Sequence, residues 1–162
     1  METKPAGPER RFMDRAIREA RRNLIRPDGG PFGACIVRDG RVVAAARNTV
    51  LKDDATCHAE VNAIRKASKT LGTFNLSGCE IYSTTEPCPM CFGAIHWARI
   101  GTVCYGNGIR DAAKVGFHEL RISNAQMKAL GRSRITLVPG FMRAECLELF
   151  ESWMALPGRK LY

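Results

Sequence analysis

Long apolar runs are what this sequence most plainly lacks. Nowhere in its 162 residues does a stretch approach the roughly 20 apolar residues that cross a bilayer as a helix. The opening Met1-Glu2-Thr3-Lys4-Pro5 turns charged with no apolar run before it, so no secretory signal is expected. Cysteine is present but cannot all be paired, since there are seven. Cys35, Cys57, Cys79, Cys104 and Cys146 lie in or beside apolar segments and read as small buried hydrophobes in a reducing cytoplasm, not as a disulfide framework. Histidine is scarce. Of the three, neither His96 nor His118 stands beside a further Cys at finger-like spacing, so the material for a four-ligand structural zinc site is missing. Repeats and low-complexity tracts are absent too, and the length fits one compact domain.

Acidic charge is also in short supply. Sixteen Asp and Glu stand against 25 Lys and Arg, a net charge of +9. Such a balance can serve a polyanionic partner, but its distribution speaks for a solvated surface. Residues 9–26 hold seven Arg and three acids on one amphipathic helix. Met13, Ile17, Ala20 and Leu24 make its apolar stripe, and Arg11, Arg15, Arg18 and Arg22 lie opposite. A charged outer face is usually just wet. A nucleic-acid partner is therefore possible but not favoured.

What is present is a two-part metal motif. His58-Ala59-Glu60 is followed thirty residues later by Pro87-Cys88-Pro89-Met90-Cys91. One imidazole and two thiolates, His58, Cys88 and Cys91, can hold one zinc ion per chain and leave a fourth tetrahedral position for water. Such a zinc brings the water's pKa towards neutrality. Glu60, two residues from His58, is not needed as a ligand and is placed to carry protons. This order of motifs is the signature of zinc-dependent base deaminases. A lone Cys-x-x-Cys could instead be a redox pair or half of a structural site, but neither requires the upstream His-x-Glu.

The pattern predicts a first helix over 8–26, stopped by Pro27-Asp28-Gly29-Gly30-Pro31. Strands follow at 32–37 and 42–47, joined by a turn containing Asp39-Gly40. A helix is expected over 58–69, a strand over 78–83, a helix over 88–98 with Pro89 in its first turn, and a strand over 101–105. Then come a helix over 123–130, a strand over 135–138 and a helix over 142–155. Residues 1–7 read as a disordered leader and 8–162 as a single domain. The simplest packing is an α/β fold in three α-β-α layers around a five-stranded mixed sheet. The metal motifs then fall at two helix N-termini, which favour thiolates.

The chain resembles the cytidine deaminase-like zinc superfamily over nearly its whole length. Within it, the sequence is most similar to the bacterial guanine deaminases. Gly29-Gly30-Pro31-Phe32-Gly33-Ala34, Thr56 to Glu60, Glu86 to Cys91, Gly93 to Arg99, Asp111-Ala112-Ala113, Gly116-Phe117 and the terminal Tyr162 carry the resemblance. It implies hydrolytic deamination of a free purine base, with Glu60 as proton shuttle. It implies that Asn48 and the backbone N–H of Ala59 meet the base, that Phe32 and Trp97 pack on the purine, and that Phe117 and Tyr162 come from a C-terminal segment exchanged between the subunits of a homodimer. The similar enzymes carry Gly-Phe-Asp-Asp, whereas this chain has Gly116-Phe117-His118-Glu119, so Glu119 would read the guanine edge with a longer arm. Three alternatives stay open: a tRNA wobble-adenosine deaminase, a nucleoside or triazine deaminase, and a non-catalytic zinc module. Glu145, Glu148 and Glu151 in the last helix suit phosphate poorly, and the intact Glu60 argues against a non-catalytic module.

Overall fold

The computed structural model describes residues 7–162. The expected leader therefore lies, but for Gly7, outside the described residues. Five strands, β1 (Gly33–Arg38), β2 (Arg41–Arg47), β3 (Cys79–Thr85), β4 (Thr102–Asn107) and β5 (Thr136–Val138), form one sheet in the order β2-β1-β3-β4-β5. β1 pairs antiparallel with both β2 and β3, and β3, β4 and β5 run parallel. The sheet is five-stranded and mixed, as the pattern predicts.

Among the described residues six helices cover it: α1 (Arg10–Ile25), α2 (Ala59–Leu71), α3 (Pro89–Trp97), α4 (Ile109–Lys114), α5 (Asn124–Leu130) and α6 (Arg143–Met154). α1 and α6 lie on one face, where Phe12, Met13, Ala16, Ile17 and Leu149 pack with Cys35, Val37, Tyr82 and Cys104. α2 and α3 lie on the other, where Ala59, Ala63, Phe92 and Ile95 meet Ala34, Ile36, Ile81 and Val103. Neighbouring strand residues thus serve opposite layers, as the period of two requires. Each large apolar side chain so buried contributes about 1.5–3 kcal/mol. Of the stripe expected on α1, Met13, Ile17 and Ala20 are buried and Leu24 is half-buried.

Two departures from the pattern bear on function. α4 is not legible in the sequence, because six residues give too few turns for a periodic signal. And β4 continues to Asn107. Gly106 permits that extension under α6, since a Cβ there would stand 2.3 Å from Cys146 Sγ. All seven cysteines are free and buried. No helix among the described residues is long and apolar enough to cross a membrane.

Candidate active site

Two helix starts face each other off the carboxyl end of β3. His58 is the N-cap of α2 and Cys88 the N-cap of α3, both with extended backbone. Pro89 opens α3, where its fixed φ suits the first turn and its missing N–H costs nothing. One nitrogen of His58 and the sulfurs of Cys88 and Cys91 lie within 4.8 Å of one another, with His58 Nδ1 3.6 Å from Cys88 Sγ. These are donors of the kind that a single zinc ion takes, at about 2.0–2.3 Å each. The donor set is that of a zinc with one position left open.

Glu60 is buried beside them. Its Oε2 lies 3.5 Å from Cys91 Sγ and its Oε1 3.1 Å from Ser83 Oγ. Ser83 Oγ is also 2.7 Å from Thr85 O. The hydroxyl has one proton, so if it donates to Thr85 it can only accept from a protonated Glu60.

The electrostatics point the same way. Burial raises the Glu60 carboxyl. Burial, then the negative charges of Cys88 and Glu60, raise Glu119 to about 8. Hydrogen bonding from Cys91, then from His58, holds the Cys88 thiol down to about 4 against its burial. Burial works against charging His58, but its hydrogen bond to Cys88 and the nearby acids raise it to about 9. Acids that resist ionisation around a thiolate form a site short of positive charge, which a divalent cation supplies.

Beside the donors opens a cleft of about 260 Å³, lined by Phe32, His58, Cys88, Met90, Phe117, Glu119, Leu120 and Tyr162 among others. Phe117 is its hub. Its ring lies 4.8 Å from that of Phe32, 4.9 Å from Trp153 and 5.4 Å from Tyr162. Glu119 Oε2 is buried with no hydrogen-bond partner among the described residues. Tyr162 lines the cleft of its own chain, its hydroxyl accepting from Gly30 N–H at 2.8 Å. A larger open groove of about 1170 Å³, with Arg110, Arg121 and Arg143 on its walls, lies elsewhere and contains none of the three donors.

Asn48 is fully buried against the loop at Gly29 and Gly30. Its Oδ1 accepts from Val50 N–H at 3.0 Å and its carbonyl from Asn23 Nδ2 at 2.8 Å. Ala59 is buried as the first residue of α2. Trp97 is not brought to the cleft of its own chain, being 80% exposed at the end of α3. Six residues beyond Cys91, a helix has turned by about 240°. Ser83 is the site residue that no sequence motif marks. Its one signal is a small hydroxyl inside a strand of mostly buried residues.

The model of the cytidine and deoxycytidylate deaminase zinc-binding region matches residues 7–107. The chain belongs to this deaminase family. It is 40% identical over 157 residues to the guanine deaminase of Bacillus subtilis, covering 93% of this chain and 97% of that one. The solved guanine deaminase of Nitrosomonas europaea superposes with a TM-score of 0.84 at 28% identity, over 96% of this chain and 89% of the other. A structure from work on A-to-I editing by tRNA:A34 deaminases superposes at 0.76 with 33% identity, over 87% and 99%. The deaminase thus has a zinc-binding site of known type, for which His58, Cys88 and Cys91 are the residues at hand.

Proposed function

We propose that this deaminase converts free guanine to xanthine and ammonia. The observation that carries the reading is the unpartnered buried oxygen of Glu119, in an aromatic cleft that opens beside His58 and Cys88. A buried carboxylate oxygen without a donor seeks N–H groups, and the guanine edge offers both a ring N–H and an exocyclic amine. The two guanine deaminases to which the chain is similar support the same choice.

His58, Cys88 and Cys91 would hold the zinc, which supplies a water acidic enough to give up a proton near neutral pH. Glu60 would take that proton on Oε2 and pass it to the ring nitrogen, then take the proton of the hydroxyl added to the ring carbon and pass it to the departing amine. Each such transfer is worth roughly 10²–10⁴-fold. Ser83 fixes the other Glu60 oxygen. Phe32, Phe117 and Tyr162 pack on the ring and exclude water. Asn48 and the Ala59 N–H complete the polar edge. Glu119 is ionised when base is bound, because the cation's charge and the two guanine donors favour the carboxylate.

In the same proposal the enzyme is a homodimer. The support is an apolar stripe on α3, with Met90 and Trp97 exposed and the half-buried Ala94 between them. In the dimer Trp97 meets the partner, and the contacts that Tyr162 makes within one chain can be made equally in an exchanged pair. A cytoplasmic location is also proposed, supported by seven free cysteines.

Ammonia release from a panel of bases, nucleosides and an RNA hairpin with a wobble adenosine tests this. Guanine is expected to react, and adenine to be poor by several orders of magnitude, because a site built for a donor rejects the ring lacking it. Turnover of the hairpin with guanine inert replaces this reading with tRNA deamination, and a preferred nucleoside or triazine redirects attention to Glu119.

A further inference from the structure

Glu86 stands immediately before Pro87-Cys88, is only 8% exposed, and is not one of the three metal donors. Its two oxygens accept from two different helix starts. Oε1 takes the Asn124 N–H at 2.8 Å and Oε2 the Ile109 N–H at 3.2 Å. These are the first residues of α5 and α4. Between the two helices runs the segment 115–122, which has no helix or strand of its own and carries Phe117 and Glu119 into the cleft. One carboxylate therefore ties the start of α4 to the start of α5, bracketing residues 109–124, which include that segment.

The tie is reciprocated. Asn124 Nδ2 donates to Pro87 O at 2.6 Å, one residue from the metal donor Cys88. The Glu86 N–H donates to Asn107 O at 2.7 Å, which fixes its backbone to the end of β4. The zinc-bearing turn and the base-reading segment are thereby joined through Glu86 and Asn124. Glu119 Oε2 has no partner of its own among the described residues, so its place relative to the metal donors follows from how that segment is held.

We infer that Glu86 is a positioning residue that sets the distance between the metal centre and Glu119, and with it the selectivity for the purine ring. The inference rests on the guanine reading for its substrate, though not for its geometry. A carboxylate that only capped two helices would support stability alone. The selectivity between two substrates does not depend on how much of a sample is folded, and so separates the two roles. Displacement of a reading group by about an ångström is enough to cost roughly 10²-fold.

The test uses the intact zinc-loaded chain. In Glu86→Gln one oxygen becomes an amide nitrogen that opposes an N–H, while shape is kept. Zinc content is expected to stay at one per chain. KM for guanine rises and the guanine-over-adenine ratio of kcat/KM falls by roughly tenfold or more. Hydrogen exchange quickens across residues 115–122 and stays as it was in α1. Asn124→Ala removes the tie to Pro87 alone and moves the same readouts less, and it decides the matter if Glu86→Gln does not fold. An unchanged ratio with unchanged exchange overturns the inference. Should the unmodified chain leave guanine untouched, the guanine reading falls, and exchange across 115–122 in Glu86→Gln decides the positioning role by itself.

Discussion

Ser83 Oγ lies 3.1 Å from Glu60 Oε1 while also reaching Thr85 O at 2.7 Å. The hydroxyl can give its proton to Glu60 Oε1 when that carboxylate is ionised, and it orients the carboxyl without neutralising it. Ser83→Ala is expected to keep zinc and fold and to lower kcat by about 10–100-fold, the usual effect of removing a supporting hydrogen bond behind a metal site. Steady-state kinetics beside zinc analysis checks it, and unchanged kcat would detach Ser83 from the reaction.

Glu60→Gln is expected to retain one zinc and the wild-type melting behaviour but to lose activity by at least roughly 10²-fold, because the amide cannot carry a proton. Activity within about tenfold of wild type, less than one proton transfer is usually worth, would remove Glu60 from the shuttle.

Cys88→Ala and Cys91→Ala should each lose zinc and all turnover, and chelation of the unmodified chain should do the same reversibly. Metal analysis of the purified variants is the measurement. A fully loaded, active Cys91→Ala would mean that the metal is held elsewhere.

In the metal-free chain, burial and the neighbouring negative charges let the Glu119 carboxyl hold its proton up to about pH 8, against an ordinary value of 4.5. Between those values the folded state binds more protons than the unfolded chain, so stability from this group is complete below about 4.5 and is lost as pH rises through about 8. Thermal melts at about pH 5 and about pH 8, either end of that window, should therefore show the unmodified apo-protein losing more stability than Glu119→Gln. Equal losses would place the titration on another group, such as the buried Glu60.

Removing Leu161 and Tyr162 opens the cleft at Gly30 and Phe117. KM for guanine should rise with zinc content unchanged. Trp97→Asp should give a monomer by sedimentation, since a charge is placed on the exposed stripe. A harmless truncation would show that Tyr162 does not close the cleft, and a Trp97→Asp chain that still dimerises would show that α3 is not the interface.

The candidate metal donors and the layer pattern could be read from residue spacing. His58 with Glu60, and Cys88 with Cys91, are each set by local spacing on a single helix start, and spacing is visible in one dimension. The apolar period of two in the strands and the stripe on α1 are local in the same sense, so the five-stranded mixed sheet was legible. Other features depend on which residues the sheet register brings together across long separations. Ser83 comes under Glu60, Glu86 reaches two helices, and Tyr162 meets Gly30, 132 residues away along the chain. α4 exists through contacts that a six-residue segment does not announce, among them Glu86 on its first N–H and Arg143 on Asp111. Trp97 makes the same point from the other side. Its place on a helix could be read, but which way that helix faces was decided only when α3 packed its Cys91 side inward and turned the far side to solvent.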